Sequence, residues 1–309
     1  MRETTEQPHR VGFVGLGMMG HPMARRLRTA GYPLVVFDRD HGVAEGFVAE
    51  HGGSVSVSLR DLAQRSEVVI LMLPDGHAVR EVVAGGEDRL LDGAASGSSI
   101  IDMSSSDPGG TRELGELVAD RGLHLVDAPV SGGVPRALVG ELSILAGGST
   151  EDLRRCRPLL TQLGNQIFHT GPLGSGHAMK ALNNLLSAAG LLATAEVLQL
   201  GTRFGLDPEL MLEVLNASTG RNNSTERKFG PYVLSGSYDS GFALAHMVKD
   251  LRIALGLAHA TDTPSPLSEE VLARCAEAER ALGPGADHTA VARWVQDVTG
   301  SRYDGGESS

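Results

Sequence analysis

Residues 11–37 run from the apolar VGFVG through Gly15-Leu16-Gly17-Met18-Met19-Gly20 into the helix-patterned HPMARRLRTAG, and out into PLVVF. A strand, a glycine turn, a helix and a second strand inside so short a stretch make the βαβ unit of a parallel sheet. In a G-x-G-x-x-G turn the first glycine permits the tight bend and the second lets a phosphate approach the backbone. The third lets helix and strand pack closely, and the helix N-terminus meets the anion. Gly15, Leu16, Gly17, Met18, Met19 and Gly20 are therefore the first candidate cofactor-binding residues, for a dinucleotide.

The alternation continues. VVILML at 68–73, SSIID at 98–102 and LHLVDAPV at 123–130 read as strands, with helical stretches near 41–50, 59–65, 77–84 and 107–121 between them. ELSILAGG at 141–148 and NQIFHT at 165–170 extend the same sheet, and repeated βα units predict helices on both faces. The pattern changes at GPLGSG, after which ALNNLLSAAGLLATAEVLQLGTRFG is apolar on nearly all sides. Such a helix is expected to be covered by the molecule or by a second subunit. Gly205 ends it, Asp207-Pro208 opens the next helix, and further helices are expected near 208–216, 241–260, 266–282 and 286–298, with no strand. The chain of 309 residues is long enough for two domains. The expected fold class is α/β, a Rossmann-type doubly wound sheet (1–171) followed by an all-helical C-terminal domain (172–300) and a polar tail (301–309). A cleft between the domains is the default site.

Charge narrows the function classes. Lys+Arg 27 against Asp+Glu 38 gives −11, which argues against nucleic acid or an anionic membrane as partner. The start MRETTEQPHR is polar rather than a secretory signal, and no eighteen apolar residues run uninterrupted. Cys156 and Cys275 have no partner at metal spacing and read as free thiols in a reducing compartment, so the expected location is cytoplasmic.

Asp38 closes the second strand, where an acidic side chain accepts hydrogen bonds from the adenosine ribose and repels a 2′-phosphate. NAD is thereby expected over NADP, although the guanidinium of Arg39 next to it could accommodate that phosphate. Of 27 basic residues only Lys180, Lys228 and Lys249 are lysines. Unlike arginine, a desolvated lysine can exchange a proton near neutral pH. Lys180 sits early in the long apolar helix, where the positive helix end and desolvation disfavour its charged form, and Asn184 follows on the same face with Asn183 beside it. That is a candidate acid/base centre; the bland alternative is a snorkelling surface lysine. Asp127-Ala-Pro-Val-Ser131-Gly132-Gly133 lies at the carboxyl edge of the sheet, and a serine followed by two glycines offers donors to a carboxylate. Phe242, His246 and Lys249 share a helical face from which Lys249 could meet substrate carboxylate or cofactor. No H-E-x-x-H, C-x-x-C, G-x-S-x-G or Walker lysine loop is present, and no metal is expected.

GFVGLGMMGHPMA at 12–24, MLP at 72–74, IDMSS at 101–105, DAPVSGG at 127–133, GSGHAMKALNN at 174–184 and KDL at 249–251 together resemble the β-hydroxyacid dehydrogenase family. The resemblance runs from Val11 to about Ala258. It implies that Lys180 is the catalytic lysine and Asn184 its substrate-binding partner, and that Ser131, Gly132 and Gly133 hold the substrate carboxylate. It also implies that Leu73, Pro74 and Ser105 line the cofactor, joined by Phe242, Lys249 and Asp250 from the helical domain. The sequence departs from the family at Val134-Pro135-Arg136-Ala137 and at TGRNNSTE (219–226), which lacks the aromatic of the hydroxyisobutyrate enzymes.

The resulting expectation is an NAD-dependent dehydrogenase of a small 3-hydroxy carboxylic acid of the 3-hydroxyisobutyrate type, assembled as a dimer or tetramer. The alternatives are a reductase of an aldehyde acid such as tartronate semialdehyde or of an imine, and a non-catalytic NAD-binding interaction protein. Imine-reducing relatives generally replace the catalytic lysine, so Lys180 favours hydroxy acids.

Overall fold

The computed structural model describes residues 10–300 and 302–303; residues 1–9 and most of the expected polar tail lie outside them. Contacts divide the chain into two units, one ending at Lys180 and the other beginning at Ala181.

The first unit alternates strands and helices: β1 (Val11–Val14), α1 (Gly20–Thr29), β2 (Leu34–Phe37), α2 (His41–His51), β3 (Ser54–Val55), α3 (Leu59–Gln64), β4 (Val68–Leu71) and α4 (Gly76–Ala84). It continues through β5 (Ser99–Asp102), α5 (Pro108–Ala119), β6 (His124–Asp127), β7 (Val130–Ser131), α6 (Gly133–Val139), β8 (Leu142–Gly147), α7 (Thr150–Leu163) and β9 (Gly164–Gly171). The strands form one sheet in the order β3-β2-β1-β4-β5-β6-β8-β7, with β9 paired to β8. The first six strands are parallel, whereas β8 runs antiparallel to β6 and β7.

Both faces are covered, as successive side chains on a strand demand. Val11 and Phe13 of β1 and Ile70 of β4 join a core with Met23 and Leu27 of α1, Phe47 of α2 and Leu159 of α7. Val14, Val69 and Leu71 face the other way, onto Leu62 of α3, Val79 of α4 and Leu114 of α5. Between β6 and β8 the structure differs from the sequence reading in two places. LHLVDAPV splits into β6 and β7 because Pro129 lacks an amide for the ladder. Val134-Pro135-Arg136-Ala137, expected only as a departure from the family, lie within α6.

A single helix, α8 (Ser175–Phe204), carries the chain out of the first unit and into the second. The second unit adds α9 (Pro208–Ala217), α10 (Asn223–Arg227), α11 (Leu244–Ala260), α12 (Pro266–Leu282) and α13 (Val291–Thr299), with a π-helical turn at Phe229–Leu234. Its core gathers Leu191, Ala195 and Leu198 of α8 with Phe229, Leu251 and Val295. Among the described residues α8 is the one helix long and apolar enough to cross a membrane, but this buried face marks it as the core helix of the unit. Its opposite side exposes Leu186 (76%), Leu200 (71%) and Phe204 (84%).

Candidate active site

The glycine loop between β1 and α1 is shaped by close approach. Gly15 has φ +94°, and a Cβ there would collide with the carbonyl oxygen of Met72. A Cβ on Gly20 would collide with the carbonyl oxygen of Gly15, so the helix can pack down only on a glycine. Gly17 is exposed with open space where its side chain would be. In α2, α3, α4, α5 and α7 the first-turn amides are capped by Asp40, Ser58, Asp75, Asp107 and Ser149, whereas Met19 gives α1 no side-chain cap. The start of α1 thus carries no side-chain cap in the place where an anion would sit, and the residues present fit a dinucleotide pyrophosphate.

Asp38 is engaged by its own backbone surroundings. Its Oδ2 accepts the Leu16 N–H at 2.7 Å and its Oδ1 accepts the Asp40 N–H at 2.9 Å. The carboxylate therefore braces the glycine loop, while Arg39 beside it is exposed.

Leu73 and Pro74 follow β4, and the Leu73 N–H donates to Ser104 Oγ at 3.0 Å. Ser105 is half-buried between Ser104 and Ser106, which turn inward. The Ser104 N–H and Ser106 hydroxyl donate to Asp102 Oδ1 and Oδ2, each at 2.9 Å. Asp102 Oδ2 also lies 3.6 Å from His177 Nε2, and Thr111 Oγ1 is 2.8 Å from His177 Nδ1. The Gly174 and His177 N–H groups both donate to Asp127 at 2.8 Å, one to each carboxylate oxygen. This buried network, absent from the sequence reading, seats the N-terminus of α8 on the sheet. Gly176 completes the seat, because a Cβ there would collide with the Leu145 carbonyl of β8. The available signal was positional: Asp102 and Asp127 are the last residues of β5 and β6, acidic groups closing apolar runs at the carboxyl edge.

Lys180 is half-buried on α8, one turn past His177. Ser131 ends β7 opposite Ser143 of β8, and Gly132 (φ +130°) and Gly133 (φ +66°) take conformations closed to most side chains. Their exposed backbone leads into α6.

In the helical unit, Asn184 Nδ2 donates to Asp250 Oδ2 at 2.6 Å, and Asn184 Oδ1 accepts from Asn183 Nδ2 at 3.1 Å. Asp250 is buried, and its Oδ1 lies 3.7 Å from Lys249 Nζ. The structure thus places Asp250 as the group that fixes the Asn184 amide. Lys180, Asn184 and Ser187 recur at helical spacing along one face of α8. Lys228 Nζ donates to Ser187 Oγ at 3.1 Å, and burial pulls its pKa down to about 8 against the opposing pull of Asp287. The sequence analysis names Lys228 only as one of the three lysines. Asp287 Oδ2 accepts the Gly241 and Phe242 N–H groups just before α11, and the half-buried Phe242 ring stands edge-on to His288 at 5.4 Å. His246 is exposed.

Comparison with known proteins adds to this geometry. Residues 10–171 match the family model of the NAD binding domain of 6-phosphogluconate dehydrogenase. Residues 174–295 match that of the NAD-binding domain of NADP-dependent 3-hydroxyisobutyrate dehydrogenase. The chain is 35% identical to 2-(hydroxymethyl)glutarate dehydrogenase of Eubacterium barkeri over 303 residues, covering 98% of this chain and 100% of that one. It is 39% identical to the mitochondrial 3-hydroxyisobutyrate dehydrogenase of Rattus norvegicus over 260 residues, 82% of this chain and 77% of that one. The structure of Mycobacterium tuberculosis 3-hydroxyisobutyrate dehydrogenase with L-serine superposes with a TM-score of 0.87 at 32% identity, covering 93% of this chain and 99% of that one.

One expectation is corrected. The preference for NAD, read from Asp38, is overturned by the match of the C-terminal half to an NADP-dependent type. In the loop both Asp38 oxygens accept backbone amides, so the carboxylate braces the turn, and Arg39 stands exposed next to it as a cation for a 2′-phosphate.

Proposed function

The chain belongs to the 3-hydroxyisobutyrate dehydrogenase-like β-hydroxyacid dehydrogenases, NAD(P)-dependent oxidoreductases acting on the CH–OH group of small hydroxy or keto acids, and on that premise we propose that its substrate is a compact 3-hydroxy carboxylate oxidised at Lys180. The observation that carries this reading is the face of α8, where Lys180 precedes by one turn an asparagine whose amide is fixed by buried Asp250. The bound nicotinamide supplies the hydride acceptor in oxidation and the donor in reduction. The neutral Lys180 Nζ takes the proton from the substrate hydroxyl as oxidation proceeds, and its ammonium returns it in reduction. Asn184 holds the hydroxyl oxygen, and Ser131 with the Gly132 and Gly133 amides holds the carboxylate, so the reacting carbon is fixed before the proton moves. Leu16 to Gly20 hold the pyrophosphate. The test is a reduced-cofactor absorbance screen over 3-hydroxyisobutyrate, 3-hydroxypropionate, serine, glycerate and 6-phosphogluconate. A small acid should lead; dominant turnover of 6-phosphogluconate would overturn the choice of substrate class.

One observation favours a second substrate form. The half-buried Lys228 lies two turns along the same helical face, at Ser187, and would pair with a further carboxylate on the substrate. The Eubacterium barkeri relative is named for such a diacid. The exposed apolar side of α8 supports assembly into at least a dimer through that helix. The buried free thiols Cys156 and Cys275 fit a cytoplasmic location.

A further inference from the structure

His21, in the first turn of α1, and His51, the last residue of α2, are far apart in sequence, yet their Nε2 atoms lie 3.2 Å from each other. Glu50 Oε1 is 3.5 Å from His51 Nε2, and one ligand atom from each of the three residues falls within 4.8 Å of the others. We propose that His21, Glu50 and His51 form a binding site for a divalent transition ion of the zinc class, independent of the hydride-transfer reading.

The spacing is that of ligands already gathered. Zinc–nitrogen bonds of about 2.0–2.1 Å at a tetrahedral angle put two imidazole nitrogens about 3.3–3.4 Å apart, and the observed separation needs almost no adjustment. The rings are held in place by their surroundings. Phe47, buried one turn before His51, stands edge-on to both imidazoles, with centroids 5.3 Å from His21 and 5.0 Å from His51. Arg28 Nε donates to the His51 carbonyl at 3.4 Å, and the His21 N–H donates to the Gly17 carbonyl at 3.0 Å. Both ligand-bearing helix ends are therefore anchored by contacts that leave the Nε2 atoms facing each other.

Arg25, which lines the adjoining cavity, and Arg28 at the His51 carbonyl are cations beside this histidine pair and oppose a dication; the Glu50 carboxylate offsets one of them. A bare histidine pair is satisfied by a single N–H to N hydrogen bond and has no use for Glu50. Ligation instead requires both Nε2 lone pairs, so an Nε2 proton shared between the two rings moves to Nδ1 of its own ring. The adjoining cavity of about 470 Å³, which Gly17 and Met18 also line, leaves room for water in the remaining coordination position.

Tag-free protein, stripped with chelator and dialysed, is titrated with zinc chloride by calorimetry and with cobalt(II) by visible absorption. The expected result is one ion per chain with a dissociation constant of order micromolar, tetrahedral cobalt bands, and a zinc-dependent rise in Tm. Glu50→Gln alters an exposed side chain and should weaken binding at least about tenfold, while His51→Gln should remove both the binding and the Tm rise. Absence of uptake up to about millimolar zinc overturns the assignment. So does uptake that Glu50→Gln and His51→Gln both leave undiminished.

Discussion

The Asp127 carboxylate accepts the backbone N–H of His177 at 2.8 Å, joining the end of β6 to the first turn of α8. Its other oxygen takes the Gly174 N–H, so one buried side chain satisfies two amides at the helix start. Lys180 follows one turn later, and its position is set through this seat. Asp127→Asn keeps one acceptor and leaves an amide unpaired, with an expected loss of about 1–3 kcal/mol. Thermal denaturation should show the lower Tm, and kcat should fall while the cofactor dissociation constant holds. Parental kcat and Tm together would show that the seat does not position the lysine.

Cofactor choice should follow Arg39 rather than Asp38. NADP is expected to give a higher kcat/KM than NAD. Arg39→Ala should lower kcat/KM with NADP by about tenfold, the loss of one charge-assisted hydrogen bond, and barely alter it with NAD. Initial rates at matched concentrations check this. An Arg39→Ala enzyme with unchanged NADP kinetics removes the guanidinium from cofactor recognition.

Lys228 gives a pH signature. Its pKa is drawn down to about 8 by burial, so Nζ is charged below that pH and neutral above it. For a substrate with a second carboxylate, KM should be lowest below pH 8 and rise as pH passes through it. A monocarboxylate such as 3-hydroxypropionate should show no such step. Lys228→Met should raise KM for the diacid and flatten its profile; a step that persists in this variant assigns the effect to another group.

The exposed stripe of α8 predicts self-association. Light scattering at micromolar concentration should give a multiple of 32.4 kDa, and Leu200→Glu with Leu186→Glu should shift the mass toward the monomer. A wild-type mass of one chain contradicts it.

What was legible in the sequence was local. The glycine loop announces itself because turn, phosphate approach and helix contact fall within six consecutive residues, with Gly15 and Gly20 each held to glycine by a close carbonyl oxygen. Lys180 and Asn184 were legible because one helical turn joins them. The links from Asp102 and Asp127 to His177 were not, because they depend on which strand ends lie under which helix, information that only the sheet order β5-β6-β8 supplies. The same limit hid His21 facing His51. Asp38 failed differently: its identity suggested a ribose acceptor, but its partners Leu16 and Asp40 are backbone amides, which no residue pattern displays.

The central claim is that Lys180 moves the hydroxyl proton. Lys180→Ala should keep the parental Tm and cofactor dissociation constant while kcat for the best hydroxy acid falls by about 10²–10⁴-fold, the range of general acid–base catalysis. A folded, cofactor-binding Lys180→Ala protein with parental kcat would contradict the account.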